Sequence, residues 1–277
     1  MTSGIEEQVG RHYTHGELAA TIAQALSAAG VDLAHLQPAD LAPVDEFHIG
    51  GRQATAEFAE QLAIAPGAAL LDIGCGLGGA SRYFAHERGC RVTGIDLTAE
   101  FVEVAASLAS RVGLSEKVTY RQGSALALPF AAATFDGASM LHVGMNIEDK
   151  AAVFAEVKRV LKPGGVFGIY DVMREAEGAL SFPVPWAATA DTSFVADAAT
   201  YRRLLEEAGF AVRHERSRRD FAIEFFRQLR ARAAAAGPPP LGLHLLMGET
   251  SPQKVANMVD NLQRGLIAPT EIVCRAL

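Results

Sequence analysis

The chain of 277 residues is 49% hydrophobic with a net charge of -7, which suits one sizeable packed core with additions and excludes a disordered protein or a general nucleic-acid binder. No apolar run approaches the roughly eighteen residues of a membrane span, and the opening MTSGIEEQVGRHY lacks the basic-then-apolar layout of a signal peptide, so a cytoplasmic protein is expected. Cys75, Cys90 and Cys274 are odd in number and lack metal spacing, which predicts reduced core fillers and no metal site.

Ser3 with Glu6, and Thr14 with Glu17, fit capping boxes and predict two opening helices, the second with Leu18, Ile22 and Leu26 on one face. Pro38 and Pro43 interrupt the next helical pattern, and Asp45 to Gly51 (DEFHIGG) reads as a polar loop before a helix carrying Ala54, Phe58 and Leu62 in register. Ala69 to Ile73 is a short apolar run that breaks into Gly74, Cys75, Gly76, Leu77, Gly78 and Gly79, a strand, glycine turn and helix in sequence. Such a turn exposes bare backbone to a ligand, and the helix opening near Gly79 offers free N–H groups and the positive end of its dipole. After a stop at Gly89, Arg91 to Ile95 leads to Asp96, twenty residues beyond Gly76, where a carboxylate can accept hydrogen bonds from both hydroxyls of a ribose.

Thr98 is the expected N-cap of a helix whose face is Phe101, Ala105, Leu108 and Val112, ending at Gly113; Val118 to Gln122 reads as a third strand and Phe135 to His142 as a fourth. Asn146 is the expected cap of a helix from Ile147 to Leu161, stopped by Pro163, Gly164 and Gly165. Val166 to Tyr170 then reads as a fifth strand ended by Asp171, a carboxylate that either receives a cationic amine or is a solvated strand end. Residues 172 to 196 lose periodicity and suit a substrate-covering loop, in which Trp186, Phe182 and Phe194 join Tyr13 as a cation-attracting wall or simply pack. A helix over 198 to 208 precedes a sixth strand, Phe210 to His214. The stretch from Arg216 to Gly265 is helical in pattern, broken by Gly237, Pro238, Pro239 and Pro240, and precedes a strand-like Ile267 to Arg275. Arg213, Arg216, Arg218, Arg219, Arg227, Arg230 and Arg232 make this part basic, as a solvated face or as an anion-binding patch.

Gly74, Gly76 and Gly79 also satisfy the dinucleotide fingerprint G-x-G-x-x-G, so the glycines alone leave a nicotinamide cofactor open. Asp72 inside the strand, residues 70 to 79, and the segments SALALPF, TFDGASMLH and RVLKPGGVFGIYD together resemble the S-adenosylmethionine (SAM)-dependent class I methyltransferases. DEFHIGG and VPWA extend the resemblance to a bacterial small-molecule branch containing sarcosine and dimethylglycine N-methyltransferases. The resemblance implies an α/β, Rossmann-like sheet of seven strands, six parallel and the last antiparallel, with N-terminal helices and a helical insertion between strands 6 and 7. It further implies a single domain made of a cap (1–65), a SAM-binding core (66–171), a substrate loop (172–196), a helical lid (216–265) and the last strand (266–277).

For the site, the resemblance implies that Phe47, His48, Gly50 and Gly51 wrap the methionine end of SAM, that Asp72, Gly74, Cys75 and Gly76 form the turn beneath it, and that Asp96 and Leu97 meet its sugar. Gly123, Ser124 and Ala125 stand where the family usually has an aspartate for the adenine amino group; a serine hydroxyl can accept that bond with shorter reach, or merely cap a turn. Leu141 and His142 fall beside the reactive methyl, and Tyr13, Met145, Tyr170, Asp171 and Trp186 on the substrate. An imidazole titrates near pH 6.5 without tuning, so His142 either removes a proton from the attacking group, orients the substrate or only packs. The expected function is methyl transfer from SAM to a small molecule, at an amine nitrogen first, with a phenol or sugar oxygen, or carbon, as alternative. A nicotinamide oxidoreductase and a SAM-binding regulator without turnover are the rivals; the oligomeric state is left open.

Overall fold

In a computed structural model that describes residues 4–237 and 239–277, seven strands form one sheet in the order β3-β2-β1-β4-β5-β7-β6. These are β1 (Ala69–Ile73), β2 (Arg91–Asp96), β3 (Val118–Gln122), β4 (Phe135–Leu141), β5 (Leu161–Arg174), β6 (Phe210–Ser217) and β7 (Ile267–Ala276). Only β7 runs against its neighbours, between β5 and β6, which is the expected sheet. Successive side chains of a strand face opposite sides, and the two packed faces follow from this. Leu71 and Ile73 of β1 pack with Phe154 and Val157, whereas Leu70 packs on the other face with Phe58, Leu62 and Phe84.

Helices α4 (Gly51–Leu62), α5 (Gly79–Glu87) and α6 (Ala99–Arg111) follow the expected pattern, with Ala54, Phe58 and Leu62 buried on α4 and Phe101, Ala105 and Leu108 on α6. Helices α1 (Gly4–Tyr13) and α2 (Leu18–Ala28) open the described chain, but the Thr14 box is not formed. The Thr14 hydroxyl donates back to Gly10 O at 2.9 Å, ending α1, and α2 is instead capped from a distance: Glu100 of α6 accepts the N–H groups of His15, Gly16 and Leu18 at 2.5, 2.9 and 3.0 Å. A carboxylate there satisfies orphan amides and opposes the positive helix end. The Ser3 box lies outside the described residues.

Pro38 starts a helix rather than interrupting one, since α3 (Pro38–Asp45) has it in the first turn, where no amide is needed. Helix α7 (Lys150–Val160) begins three residues later than expected, because Asp149, not Asn146, caps it by accepting the N–H of Ala152 at 2.9 Å. Asn146 sits in a 3-10 turn with Gly144 and Met145. The fifth strand is far longer than expected and Asp171 does not end it, because β7 pairs with it antiparallel from Val166 to Arg174, matching Asp171 with Thr270.

Helix α8 (Ala198–Glu207) precedes β6, and α9 (Arg219–Ala236), α10 (His244–Met247) and α11 (Ser251–Gln263) lie between β6 and β7 as the expected insertion. Its arginines are partly paired: Arg218 meets Glu271 at 2.7 Å and Glu57 at 2.5 Å, Arg216 meets Glu271 at 2.8 Å, and Arg227 meets Glu224 at 2.7 Å. All three cysteines are buried and free. Among the described residues, no helix is long and apolar enough to cross a membrane.

Candidate active site

A cavity of about 610 Å³ lies beyond the carboxyl ends of β1, β2 and β4, the place where open α/β sheets take ligands. Its floor includes Asp72 of β1 with Gly74, Cys75 and Gly76 beyond it, Asp96 at the end of β2 with Leu97, Gly123 and Ala125 after β3, and Leu141 at the end of β4 with His142. Phe47, His48, Tyr13, Met145 and Trp186 also line it. The sequence therefore places most of the expected site residues around one space.

The glycine turn works differently from the expectation of free amides. Gly74 and Cys75 both donate to Ile95 O, at 2.8 and 3.0 Å, and Gly76 donates to Asp96 Oδ2 at 2.9 Å. What the turn offers is room: Gly76 has φ +52 and a Cβ there would meet open space in the cavity, so the missing side chain leaves bare backbone to a ligand. Gly79 serves packing, because a Cβ on it would strike the Asp45 backbone carbonyl.

Asp96 is held from both sides, since Thr98 N–H donates to its Oδ1 at 2.9 Å while Gly76 holds Oδ2. Burial raises its pKa and these N–H bonds oppose the shift. Asp72 joins three elements instead: Ser81 of α5 donates to Oδ2 at 2.6 Å and Ser139 of β4 to Oδ1 at 3.0 Å, and burial pushes the carboxyl up to about 6.

His142 stands just past β4 with φ +55, a left-handed conformation costly for a residue with a Cβ. Its Nδ1 lies 3.2 Å from Tyr170 O, and the lone pair of its Nε2 accepts the N–H of Ile49 at 3.3 Å. Burial, then the neighbouring His48, pushes its pKa down to about 3. The ring is thus neutral, with both nitrogens engaged, tying the strand end to the loop over residues 46 to 50.

That loop contains a polar cluster of which the sequence reading named only His48, as a contact to the methionine end of SAM. Glu46 and His48 both line the cavity while almost wholly buried. Glu46 Oε2 accepts the Thr55 hydroxyl at 2.6 Å and lies 3.0 Å from His48 Nε2. Burial pushes Glu46 up, but the bonds from His48 and Thr55 outweigh it and hold the carboxylate below its usual range. Adjacent to it, Asp45 pairs with the buried Arg82 of α5 at 2.5 Å.

Five expected contacts fall elsewhere. Gly50 and Gly51 are not on the cavity wall; Gly50 backs onto Phe221 and Ala54. The Ser124 hydroxyl donates to Glu6 and accepts Leu126 N–H, while its neighbours Gly123 and Ala125 reach the cavity. Tyr170 is fully buried and donates to Ile49 O at 2.9 Å. Asp171 is buried behind the wall, where it accepts the Tyr201 hydroxyl at 2.6 Å, and neither it nor Tyr170 lines the cavity. Side chains alternate along a strand, and a residue expected at a strand end was in fact mid-strand. The aromatic wall is likewise partial: Tyr13 and Trp186 line the cavity, Phe182 and Phe194 do not. Trp186 Nε1 donates to Ser193 Oγ at 2.9 Å, and Tyr13 donates to Asn146 Oδ1 at 3.3 Å.

The insertion supplies the other half of the wall. Phe225, Phe226, Leu229 and Ala233 of α9 face it, with Leu246 and Met247 of α10 and Val255 and Met258 of α11. The i, i+3, i+4 spacing of Phe225, Phe226 and Leu229 after Ala222 was the legible signal for an inward face. Ile5, Glu6 and Val9 of α1 close the cavity from the other chain end.

Residues 71–169 match the family model described as a methyltransferase domain. Sterol 24-C-methyltransferase ERG6B of Gibberella zeae is 36% identical over 113 residues, covering 41% of this chain and 30% of that protein. Erythromycin 3''-O-methyltransferase of Saccharopolyspora erythraea is 33% identical over 199 residues, covering 63% of this chain and 62% of that protein. The chain thus spans less than two thirds of either relative. Phosphoethanolamine N-methyltransferase 2 of Haemonchus contortus, solved with S-adenosyl-L-methionine, superposes with a TM-score of 0.76 at 17% identity, covering 99% of this chain and 60% of that one, a likeness of fold.

Proposed function

We propose, from the premise that residues 71–169 are a class I SAM-dependent methyltransferase domain, that this chain transfers the methyl group of SAM to a small molecule with a largely apolar body. The observation that carries the reading is one continuous cavity with two unlike halves. One is a cradle of bare glycine backbone beside a doubly anchored Asp96, and the other is a wall of Phe225, Phe226, Leu229, Met247 and Met258. The cradle fits SAM: Gly76 leaves space, Asp96 can accept from ribose hydroxyls, and Leu97, Ala125 and Leu126 offer an apolar slot for a base. Residues 1–277 act as one unit in this reading, because α1 and the insertion complete the same space.

When bound, SAM supplies a methyl that its sulfonium already makes electrophilic. The chain has to hold the acceptor in line and keep water out, and such positioning contributes on the order of 7–11 kcal/mol. Tyr13, Met145 and Trp186 close the junction between the halves. The amine acceptor expected from the sequence drew on Asp171, Trp186 and the tyrosines together; Trp186 and Tyr13 line the cavity, but the carboxylate is spent on Tyr201 behind the wall. A neutral acceptor, methylated at oxygen or carbon, suits the wall better. The three relatives bear names of C-, O- and N-methyltransferases, so they favour no atom.

Calorimetry with S-adenosylhomocysteine and NAD, followed by labelled methyl transfer from SAM onto a metabolite extract split by polarity, tests the reading. Tight adenosylhomocysteine binding, no NAD response and label in the apolar neutral fraction are expected. Label confined to cationic amines would restore the amine acceptor, and tight binding with no label in any fraction would make the protein a SAM-binding regulator.

A further inference from the structure

Helix α11 brings Ser251, Val255 and Met258 to the described cavity wall on one stripe, and of these Ser251 alone is polar. We propose that the Ser251 hydroxyl recognises a second oxygen on the acceptor, so that the substrate is an uncharged, largely apolar molecule carrying a carbonyl apart from the atom that is methylated. The inference deepens the methyl-transfer reading above and rests on it.

A serine at the start of a helix ordinarily has a task inside the fold, accepting an amide of the first turn. Thr250 is the N-cap of α11, and no side-chain cap bond forms there. The Ser251 hydroxyl has no hydrogen-bond partner among the described residues, although the residue is only 7% exposed. The backbone around it is already served: Ser251 N–H donates to Gly248 O at 2.9 Å, and Lys254 Nζ donates to Met247 O at 3.0 Å. What remains is a buried hydroxyl with a hydrogen to give and no protein atom engaging either its hydrogen or its lone pairs. Water can serve it in the free protein. An apolar acceptor that displaces the water leaves it unpaired, whereas one with an oxygen at that point does not.

Charge decides which oxygen function fits. Lys254 follows Ser251 by about one turn on the same side of α11 and is itself buried. Burial lowers its pKa, and no carboxylate among the described residues opposes that shift. Its charge also reaches His12 of α1, where it adds to the burial that lowers the pKa of that ring. A cation here repels an ammonium group and favours oxygen lone pairs. The wider wall sets the opposite limit, since its described lining includes Glu6, Glu46, Glu148 and Asp149 but no lysine or arginine, which disfavours an anionic acceptor. A carbonyl meets both conditions: it is uncharged, it only accepts, and Ser251 has a hydrogen to donate.

The test titrates a homologous series of 4-alkylphenols into the S-adenosylhomocysteine complex by calorimetry, each beside the ketone with its carbonyl near the chain end and beside the matching carboxylic acid. At one chain length the ketone is expected to bind about 10- to 100-fold more tightly than its alkyl partner. Ser251→Ala should abolish that preference by weakening the ketone and tightening the alkylphenol, while the Kd for S-adenosylhomocysteine stays within about twofold and Tm is no lower. Opposite shifts of the two probes separate recognition from a structural effect, which would move both together. The proposal is overturned by equal affinities along the whole series, by a ketone preference that survives Ser251→Ala, or by the acid binding most tightly. A chain that binds S-adenosylhomocysteine but none of the probes overturns it as well and leaves the methyl-transfer reading standing. Failure to bind either SAM or S-adenosylhomocysteine removes that reading and this inference with it.

Discussion

Gly76 donates its N–H to Asp96 at 2.9 Å across twenty residues of chain, so the glycine turn and the carboxylate proposed to hold the ribose form a single rigid piece. Thr98 N–H fixes the other oxygen. Asp96→Ala removes a charged acceptor with remaining lone pairs directed at the cavity. Hydrogen bonds to charged groups contribute about 1.5–3 kcal/mol, so the Kd for S-adenosylhomocysteine is expected to rise about 10- to 100-fold in calorimetry. An unchanged Kd would remove Asp96 from the cofactor site.

Asp171 should behave oppositely. It accepts the Tyr201 hydroxyl in a fully buried setting, and Asp171→Ala leaves that hydroxyl without a partner at a cost of about 1–3 kcal/mol. Denaturant melts are expected to show that loss, with the acceptor KM unchanged. A raised KM at unchanged stability would return Asp171 to the substrate.

The contribution of Asp72 to stability should fall as pH rises from about 4 to about 6, against the opposite contribution of His142, whose folded pKa is lowered to about 3. Burial raises its folded pKa to about 6, above the unfolded value near 3.9. Within that window the native state therefore binds more protons than the unfolded chain, and native stability is greatest at the acid end for this group. Asp171, also raised to about 6 by burial, adds in the same sense. Asp72→Asn keeps one acceptor for a serine and removes the titration. Chemical denaturation across that pH range should show that stability changes with pH in a more positive sense in the variant than in the wild type; an identical slope would refute the assignment.

Glu100 contributes through α2. Glu100→Gln weakens a carboxylate that receives three amides, and loss of a cap costs about 1 kcal/mol. A lower Tm is expected, while the Kd for S-adenosylhomocysteine stays as in the wild type. An unaltered Tm would mean that water serves those amides equally well.

Leu229 tests the acceptor wall without disturbing the core. It is 42% exposed yet lines the cavity, so Leu229→Asp places a charge at the mouth with little effect on folding. The KM of an apolar acceptor is expected to rise at least several-fold while adenosylhomocysteine binding holds. A falling KM would indicate a cationic acceptor.

The cavity floor was legible because it depends on local rules. Ala69 to Gly79 and Arg91 to Asp96 each follow from strand periodicity and glycine punctuation, and their juxtaposition follows from parallel pairing of β1 with β2. Asp171 was misread because strand length depends on a partner: β7, almost a hundred residues later, extends β5 past the expected end. Thr14 misled for a related reason, as the capping group came from Glu100 in another helix. The Glu46–His48–Thr55 cluster needed α4 to fold back over the loop, which no spacing within DEFHIGG reveals.

The lid enters and leaves the fold between β6 and β7, two neighbouring edge-side strands whose register is set by their own pairing. Residues 219 to 263 therefore leave and rejoin the sheet without interrupting β1, β2 or β4. Under the proposed function, selection for a new acceptor can rewrite this one graft while the seat proposed for the methyl donor is inherited.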